Sequence, residues 1–134
     1  MTSTAASDNK QSLPPGHAWL ELVKRSNEES FATAFAKDVV LDASVLAAPI
    51  TGVAGLRRFF EATRAMYDRI AFTSETRGAM RTVLEWEGTF QGRDVAGVTI
   101  LTQDATGAIA SIRLYHRPYD QVVAFSAALA RRLG

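Results

Sequence analysis

At Asp68 the spacing of the apolar residues changes. Before it they recur every three or four positions, and from there to His116 they alternate with polar ones. A period of about 3.6 is that of a helix face and a period of about 2 that of a strand, so the chain is predicted to place helices first and a run of strands behind them. Turn residues divide that run at Arg77-Gly78, Gln91-Gly92-Arg93-Asp94 and Asp104-Ala105-Thr106-Gly107. Four antiparallel strands joined by hairpins follow. Helices segregated from strands in this way define an α+β fold, with helices packed on one face of a curved antiparallel sheet.

Local signals place the individual elements. Residues 1–12 are small and polar and cannot bury enough apolar surface to offset the entropy of ordering, so they read as a flexible tail ahead of one domain over residues 13–134. Pro14-Pro15-Gly16 ends the tail, and Trp19, Leu22 and Val23 mark a first helix running to about Arg25. Ser26-Asn27-Glu28-Glu29 matches a capping box and predicts a second helix that buries Phe31 and Phe35. Val39 to Leu46 is rich in β-branched residues and stops before Pro49, as a first strand would. Thr51 is placed to cap a third helix. Along it Val53, Leu56, Phe59, Phe60, Met66 and Tyr67 form an apolar stripe, Arg57, Arg58, Glu61 and Arg64 face water, and the helix ends near Asp68. Pro118 suits the first turn of a last helix carrying Val122, Val123, Leu129 and Leu133, with Arg131 and Arg132 at its negative end.

Composition excludes several classes of partner. The 134 residues carry 15 Lys+Arg against 14 Asp+Glu, a net charge of +1 with no basic run, which gives no footprint for nucleic acid. No apolar stretch approaches the ~20 residues that span a bilayer, and the first residues lack the basic and apolar regions of a secretory signal. With no cysteine, there is no disulfide, iron–sulfur cluster or thiol nucleophile. A cytoplasmic protein without a membrane partner is the expectation. In the last strand Ile112, Leu114 and His116 share one face and Arg113 and Tyr115 the other, while Val98 and Ile100 alternate with Thr99 and Leu101. Helices can cover only one of these faces, so a homodimer through the sheet is predicted to cover the second.

The order of elements, Phe35-Ala36-Lys37-Asp38 entering the first strand, Pro49-Ile50-Thr51-Gly52 opening the third helix, and Gly107 and Ile109 between the last two strands resemble the nuclear transport factor 2-like superfamily. The resemblance runs from about Trp19 to Leu133 and is nearest to the branch of ketosteroid isomerases and SnoaL-like polyketide cyclases. It implies a cystatin-like cone of sheet, helices on its concave face, a deep pocket for a small hydrophobic molecule and a homodimer. It also implies where ketosteroid isomerase chemistry would sit: an oxyanion-donating tyrosine, an aspartate base and a protonated aspartic acid fall at Trp19, Ala43 and Thr99. Ala43 abstracts no proton, so isomerisation by that mechanism is rejected. Asp42 is one residue away, which in a strand means the opposite face.

The remaining chemistry centres on His116, which shares a face with Ile112 and Leu114 and has an imidazole able to act as acid, base or hydrogen-bond anchor. The simpler reading of this residue is a core histidine bonded to a carbonyl. Trp19, Phe35, Ala43, Phe60, Tyr67, Trp86, Thr99, Leu101, Ile112 and Leu114 are the candidate ligand-binding residues, with Tyr67 and Trp19 favoured because their polar atoms need partners when buried. Glu85 and Glu87 lie on one strand face, where they could form a carboxylate pair for acid–base work or meet Arg113 across the sheet; an outward ion-pair ladder or a bridge at the dimer interface is the simpler reading. Gly52-Val53-Ala54-Gly55 lacks the Lys-Ser/Thr of a phosphate loop, and His17 and His116 lie in different elements without an acidic cluster. No metal or cofactor is implied. The function read from the sequence is binding of a small apolar molecule, with cofactor-free acid–base chemistry of isomerase, dehydratase or cyclase type if it is an enzyme. The alternatives are a dimeric scaffold and a lipophilic-ligand carrier.

Overall fold

The computed structural model describes residues 13–134; the tail expected over residues 1–12 lies outside the described residues. Helix α1 (His17–Lys24) is followed by a 3₁₀ helix (Glu29–Ala34), strands β1 (Phe35–Ala43) and β2 (Ile50–Thr51), and helix α2 (Val53–Met66). Strands β3 (Arg69–Arg77), β4 (Arg81–Phe90), β5 (Arg93–Gln103) and β6 (Ile109–Arg117) then form a meander, and helix α3 (Tyr119–Leu133) closes the chain. The six strands make one sheet in the order β2-β1-β6-β5-β4-β3. All neighbours are antiparallel except β1 and β6, which run parallel, so the sheet is mixed at that one seam. Because β1 is joined to the meander through α2, its return beside β6 lays that helix across the concave face.

The alternation read from the sequence is the alternation of burial. Leu84, Trp86 and Phe90 on β4, Val95, Thr99 and Leu101 on β5, and Ile112, Leu114 and His116 on β6 all point to the concave side and are buried. The β4–β5 hairpin turns in two residues, Gln91 and Gly92, both with positive φ, between the paired residues Phe90 and Arg93; this geometry matches the right-handed twist of the strands it joins. Gly97 sits opposite Trp86, and a Cβ there would collide with the Trp86 ring and the Tyr115 carbonyl. Glycine lets the indole lie flat on the sheet.

Several local expectations are corrected. The capping box at Ser26 does not form: the helix after it is 3₁₀, its N-cap is Glu28 without a side-chain bond, and Ser26 Oγ is buried with no partner. The competing partner is Arg57, whose Nη1 donates to the Ser26 and Glu28 carbonyls and holds the intervening backbone as a loop against α2. The first strand starts at Phe35, which pairs with Ile109, and ends at Ala43 instead of reaching Leu46. Thr51 caps nothing, because it is paired with Val40 in β2 and Gly52 takes the N-cap position of α2. Pro118 precedes α3 as its N-cap rather than entering the first turn. The stripe α3 buries is Gln121, Phe125 and Leu129, leaving Val123 half exposed. Gln121 can occupy the interior because its Nε2 donates to both the Phe90 and Arg93 carbonyls at 3.0 Å, pinning α3 to the β4–β5 hairpin.

Arg58 and Arg64 face water as expected and also act as clamps, while Arg57 is half-buried. Arg58 Nη2 donates to the Leu133 carbonyl at the end of α3, and Arg64 Nη1 to the Val23 and Lys24 carbonyls at the end of α1, at 3.3 and 2.5 Å. Each supplies a cation and a donor to the last carbonyls of a helix, of which that of Val23 also accepts the Ser26 N–H. Glu85 and Glu87 do face outward, but the register sets Glu85 opposite Val98 and Arg113 opposite Ile100. The expected ion pair with Arg113 is not formed among the described residues.

Candidate functional site

A cleft of about 80 Å³ lies between α1, α2 and the concave face of the sheet. Trp19, Leu20 and Val23 reach it from α1, and Phe60, Thr63 and Arg64 reach it from α2, with Tyr67 just beyond that helix. Ile70 and Phe72 line it from β3, Trp86 from β4, Thr99 from β5, and Ile112 and Leu114 from β6. Helical spacing explains the α2 contribution, since positions 60, 63, 64 and 67 fall on one face. Strand alternation explains the rest. The cleft is therefore apolar in nearly all its walls, with Thr63, Thr99, Tyr67 and Arg64 as its polar members.

The sequence candidates divide. Trp19, Phe60, Tyr67, Trp86, Thr99, Ile112 and Leu114 converge on this cleft. Leu101 lines a second space of about 200 Å³ on the other side of Trp19, together with Leu22, Leu84, Glu75 and Arg77. Trp19 is a wall of both spaces, so its indole partitions what the sequence reading treats as one pocket. Phe35 packs edge-on against Trp19 at 6.3 Å and against Phe31 at 4.8 Å, and is core behind the indole. Ala43 is buried on the concave face but lines neither space, and Asp42 is exposed on the opposite face.

His116 does not line the cleft either. It is buried among Trp86, Phe125 and Tyr67, with ring centroids 5.0, 4.9 and 6.1 Å away. Its Nε2 is 2.6 Å from the Tyr67 hydroxyl, so its partner is a side chain on the cleft wall and not the backbone carbonyl that a core histidine commonly finds. Burial pulls the imidazole down to about 4 and pushes the Tyr67 phenol well above its ordinary range. At neutral pH both groups are uncharged. Nδ1 is buried without a partner. A bare ring nitrogen is a smaller defect than an orphaned N–H, which favours the tautomer in which Nε2–H donates to Tyr67 and leaves the phenolic hydrogen free.

Two features of the rim escaped sequence reasoning. An irregularity in β3 between Phe72 and Ser74 shifts the register by one residue, so Glu75 pairs with Leu84 rather than falling on the outer face. The Glu75 carboxylate accepts the Gly16 N–H at 2.8 Å at the start of α1 and an N–H of Arg77 at 2.6 Å. These two bonds, Arg77 first, hold its carboxyl below the usual carboxylate range. Helix α1 is thus tied by a carboxylate at its positive end and by Arg64 at its negative end, the polarity the helix dipole favours. Among the described residues no Asp or Glu lines the cleft itself, and none group with histidine as a metal site would require.

The mixed six-stranded sheet wrapped around α2 and α3 is the cystatin-like fold shared by ketosteroid isomerase-like and nuclear transport factor 2-like proteins. Among solved structures the chain is similar to a steroid delta-isomerase from Pseudomonas aeruginosa, with a TM-score of 0.77 at 19% identity over 87% of this chain and 86% of that one. It is equally similar, at 0.77 and 20% identity over 84% and 80%, to an uncharacterised cystatin-like protein from Silicibacter pomeroyi DSS-3. A hypothetical protein with a ketosteroid isomerase-like fold from Catenulispora acidiphila DSM 44928, in complex with trimethylamine, matches at 0.59 and 19% identity over 84% and 94%. No protein-family model matches the sequence, and no curated protein does. Likeness at these identities establishes the fold and leaves the activity to be argued from the site.

Proposed function

We propose that this protein binds a small, mostly apolar molecule in the cleft between α1, α2 and the sheet. The observation that carries the reading is the convergence of Trp19, Phe60, Tyr67, Trp86, Thr99, Ile112 and Leu114, from five elements and the segment after α2, on one space that the core does not fill. Apolar walls with a few placed polar groups are the ordinary construction of a ligand site. At about 80 Å³ the space is well below the ~300 Å³ usual for drug-sized ligands, so the occupant has only a few heavy atoms. The trimethylamine complex of the Catenulispora protein supports a ligand of that scale on this fold.

Within this reading Tyr67 offers its hydroxyl hydrogen to the ligand and His116, behind it, is a positioning residue. An imidazole pulled down to about 4 and screened by Tyr67 is a weak base at neutral pH, and no carboxylate lines the cleft among the described residues, so binding is favoured over proton transfer. A thermal-unfolding screen with small neutral and acidic compounds tests the proposal. The midpoint should rise with ligand concentration, and the rise should vanish in Leu20→Trp, which fills the cleft from α1 without entering the core. A concentration-independent midpoint across the screen refutes it.

A second copy of the chain is proposed to cover the outer face of the sheet. There Tyr115 is 46% exposed and Val40 38%, with Val83, Val98 and Ile100 half-buried beside them. Glu85 and Glu87 on β4 and Arg113 and Arg117 on β6 flank β5 on opposite sides, so a two-fold axis along β5 sets each acidic strand over the partner's basic one. Sedimentation of the wild type and of Val98→Asp decides it: a dimer dissociated by the aspartate supports the interface, and a wild-type monomer contradicts it.

A further inference from the structure

Resting on that reading of the cleft, we infer that its ligand is a small amphipathic carboxylate, with the apolar tail among the aromatic walls and the acid group at Arg64. Arg64 is the one charged side chain among the residues lining the cleft, and it is exposed, on the same α2 face as Phe60 and Thr63. Its Nη1 is engaged by the Val23 and Lys24 carbonyls, which fixes the guanidinium beside the cleft. A guanidinium has further donors on Nε and Nη2, in a planar fork that matches a carboxylate.

Among the described residues no carboxylate pairs with Arg64; the three ion pairs there join Lys24 to Glu21, Arg77 to Glu75 and Arg93 to Asp120. Glu61, one turn before Arg64 on α2, lies outside the lining of the cleft, and Glu75 belongs to the far side of Trp19 and is itself taken by Arg77 and Gly16. A cation entering this cleft meets a like charge and no counter-ion, a neutral molecule leaves the guanidinium unused, and an anion completes it. The volume sets the tail. An apolar cavity of ~150 Å³ holds benzene, so about 80 Å³ suits a short branched alkyl group.

Three probes with one tail and different head groups test this: isovalerate, isovaleramide and isopentylamine, titrated into the full-length protein while the indole resonances of Trp19 and Trp86 are followed. Isovalerate should bind about tenfold or more tighter than isovaleramide, the margin of a hydrogen bond to a charged group, and should weaken with added salt. Isopentylamine should bind worst. Arg64→Gln should reduce the acid to the affinity of the amide, and Arg64→Lys should keep part of the preference. Equal affinity for acid and amide, preference for the amine, or a preference that survives Arg64→Gln overturns the carboxylate assignment while leaving the cleft as a binding site. Indole resonances unmoved by all three probes overturn both. The head-group comparison needs only the wild type, so a destabilised Arg64 variant does not blunt the test.

Discussion

The two ends of the cone are closed by different means. Under α3, the rings of Tyr67, Trp86, Phe90, His116 and Phe125 pack with centroids 4.8 to 6.1 Å apart, and Gln121 locks the helix to the β4–β5 hairpin. At the other end, the eight-residue α1 buries only Trp19 and is strapped by side-chain hydrogen bonds from Glu75 and Arg64, with unfilled space on both sides of the indole. Burial of whole rings contributes several kcal/mol per residue, whereas a part-exposed hydrogen bond contributes about 1 kcal/mol. Trp19 is the one ring α1 itself contributes to the buried core, so α1 is the segment that should open at least cost.

Truncation breaks or sharpens this contrast most strongly. Phe125→Ala should cost about 3–5 kcal/mol in denaturant unfolding, because it empties a fully buried ring site, while Leu20→Ala on half-buried α1 should cost about 1 kcal/mol. Equal losses would mean that the two ends are built alike.

The next effect belongs to the packed end alone. His116 titrates near 6.5 in the unfolded chain and at about 4 in the folded one, so between those values the unfolded chain binds a proton that the folded one refuses. Stability is full above about pH 6.5 and falls as the pH drops through that window, with a loss of about 3 kcal/mol by pH 4. His116→Gln should flatten the profile there, and a wild-type profile already flat from pH 6.5 to 4.5 would contradict the burial of a neutral imidazole. The smallest effect is at Ser26, whose hydroxyl is buried without a partner. Ser26→Ala should leave stability unchanged or raise it by up to about 1 kcal/mol, and a loss would restore a role for that oxygen.

The same contrast divides what was legible in the sequence. Alternation in β4 to β6 and the stripe on α2 depend on burial in a single dense core, and Leu84, Trp86, Ile112, Leu114, Leu56 and Phe59 are all buried as the pattern requires. The strapped end depends on one-residue events that periodicity does not carry. The β3 register shift moves Glu75 to the inner face, and Arg57 draws Ser26 away from a capping box. The division of the cone by Trp19 was also illegible, since the volume left beside a side chain depends on how helix and sheet approach each other, and spacing along the chain does not report it.

The space between α1, α2 and the sheet, proposed above as a binding site, could instead be a packing defect. The most direct measurement is a crystal structure of the protein soaked with a small neutral probe such as isovaleramide. The probe should lie in contact with Trp19, Tyr67 and Thr99, with α3 and its aromatic cluster unmoved. A cleft that stays empty at saturating probe, or a probe held only on the outer face of the sheet, would contradict it.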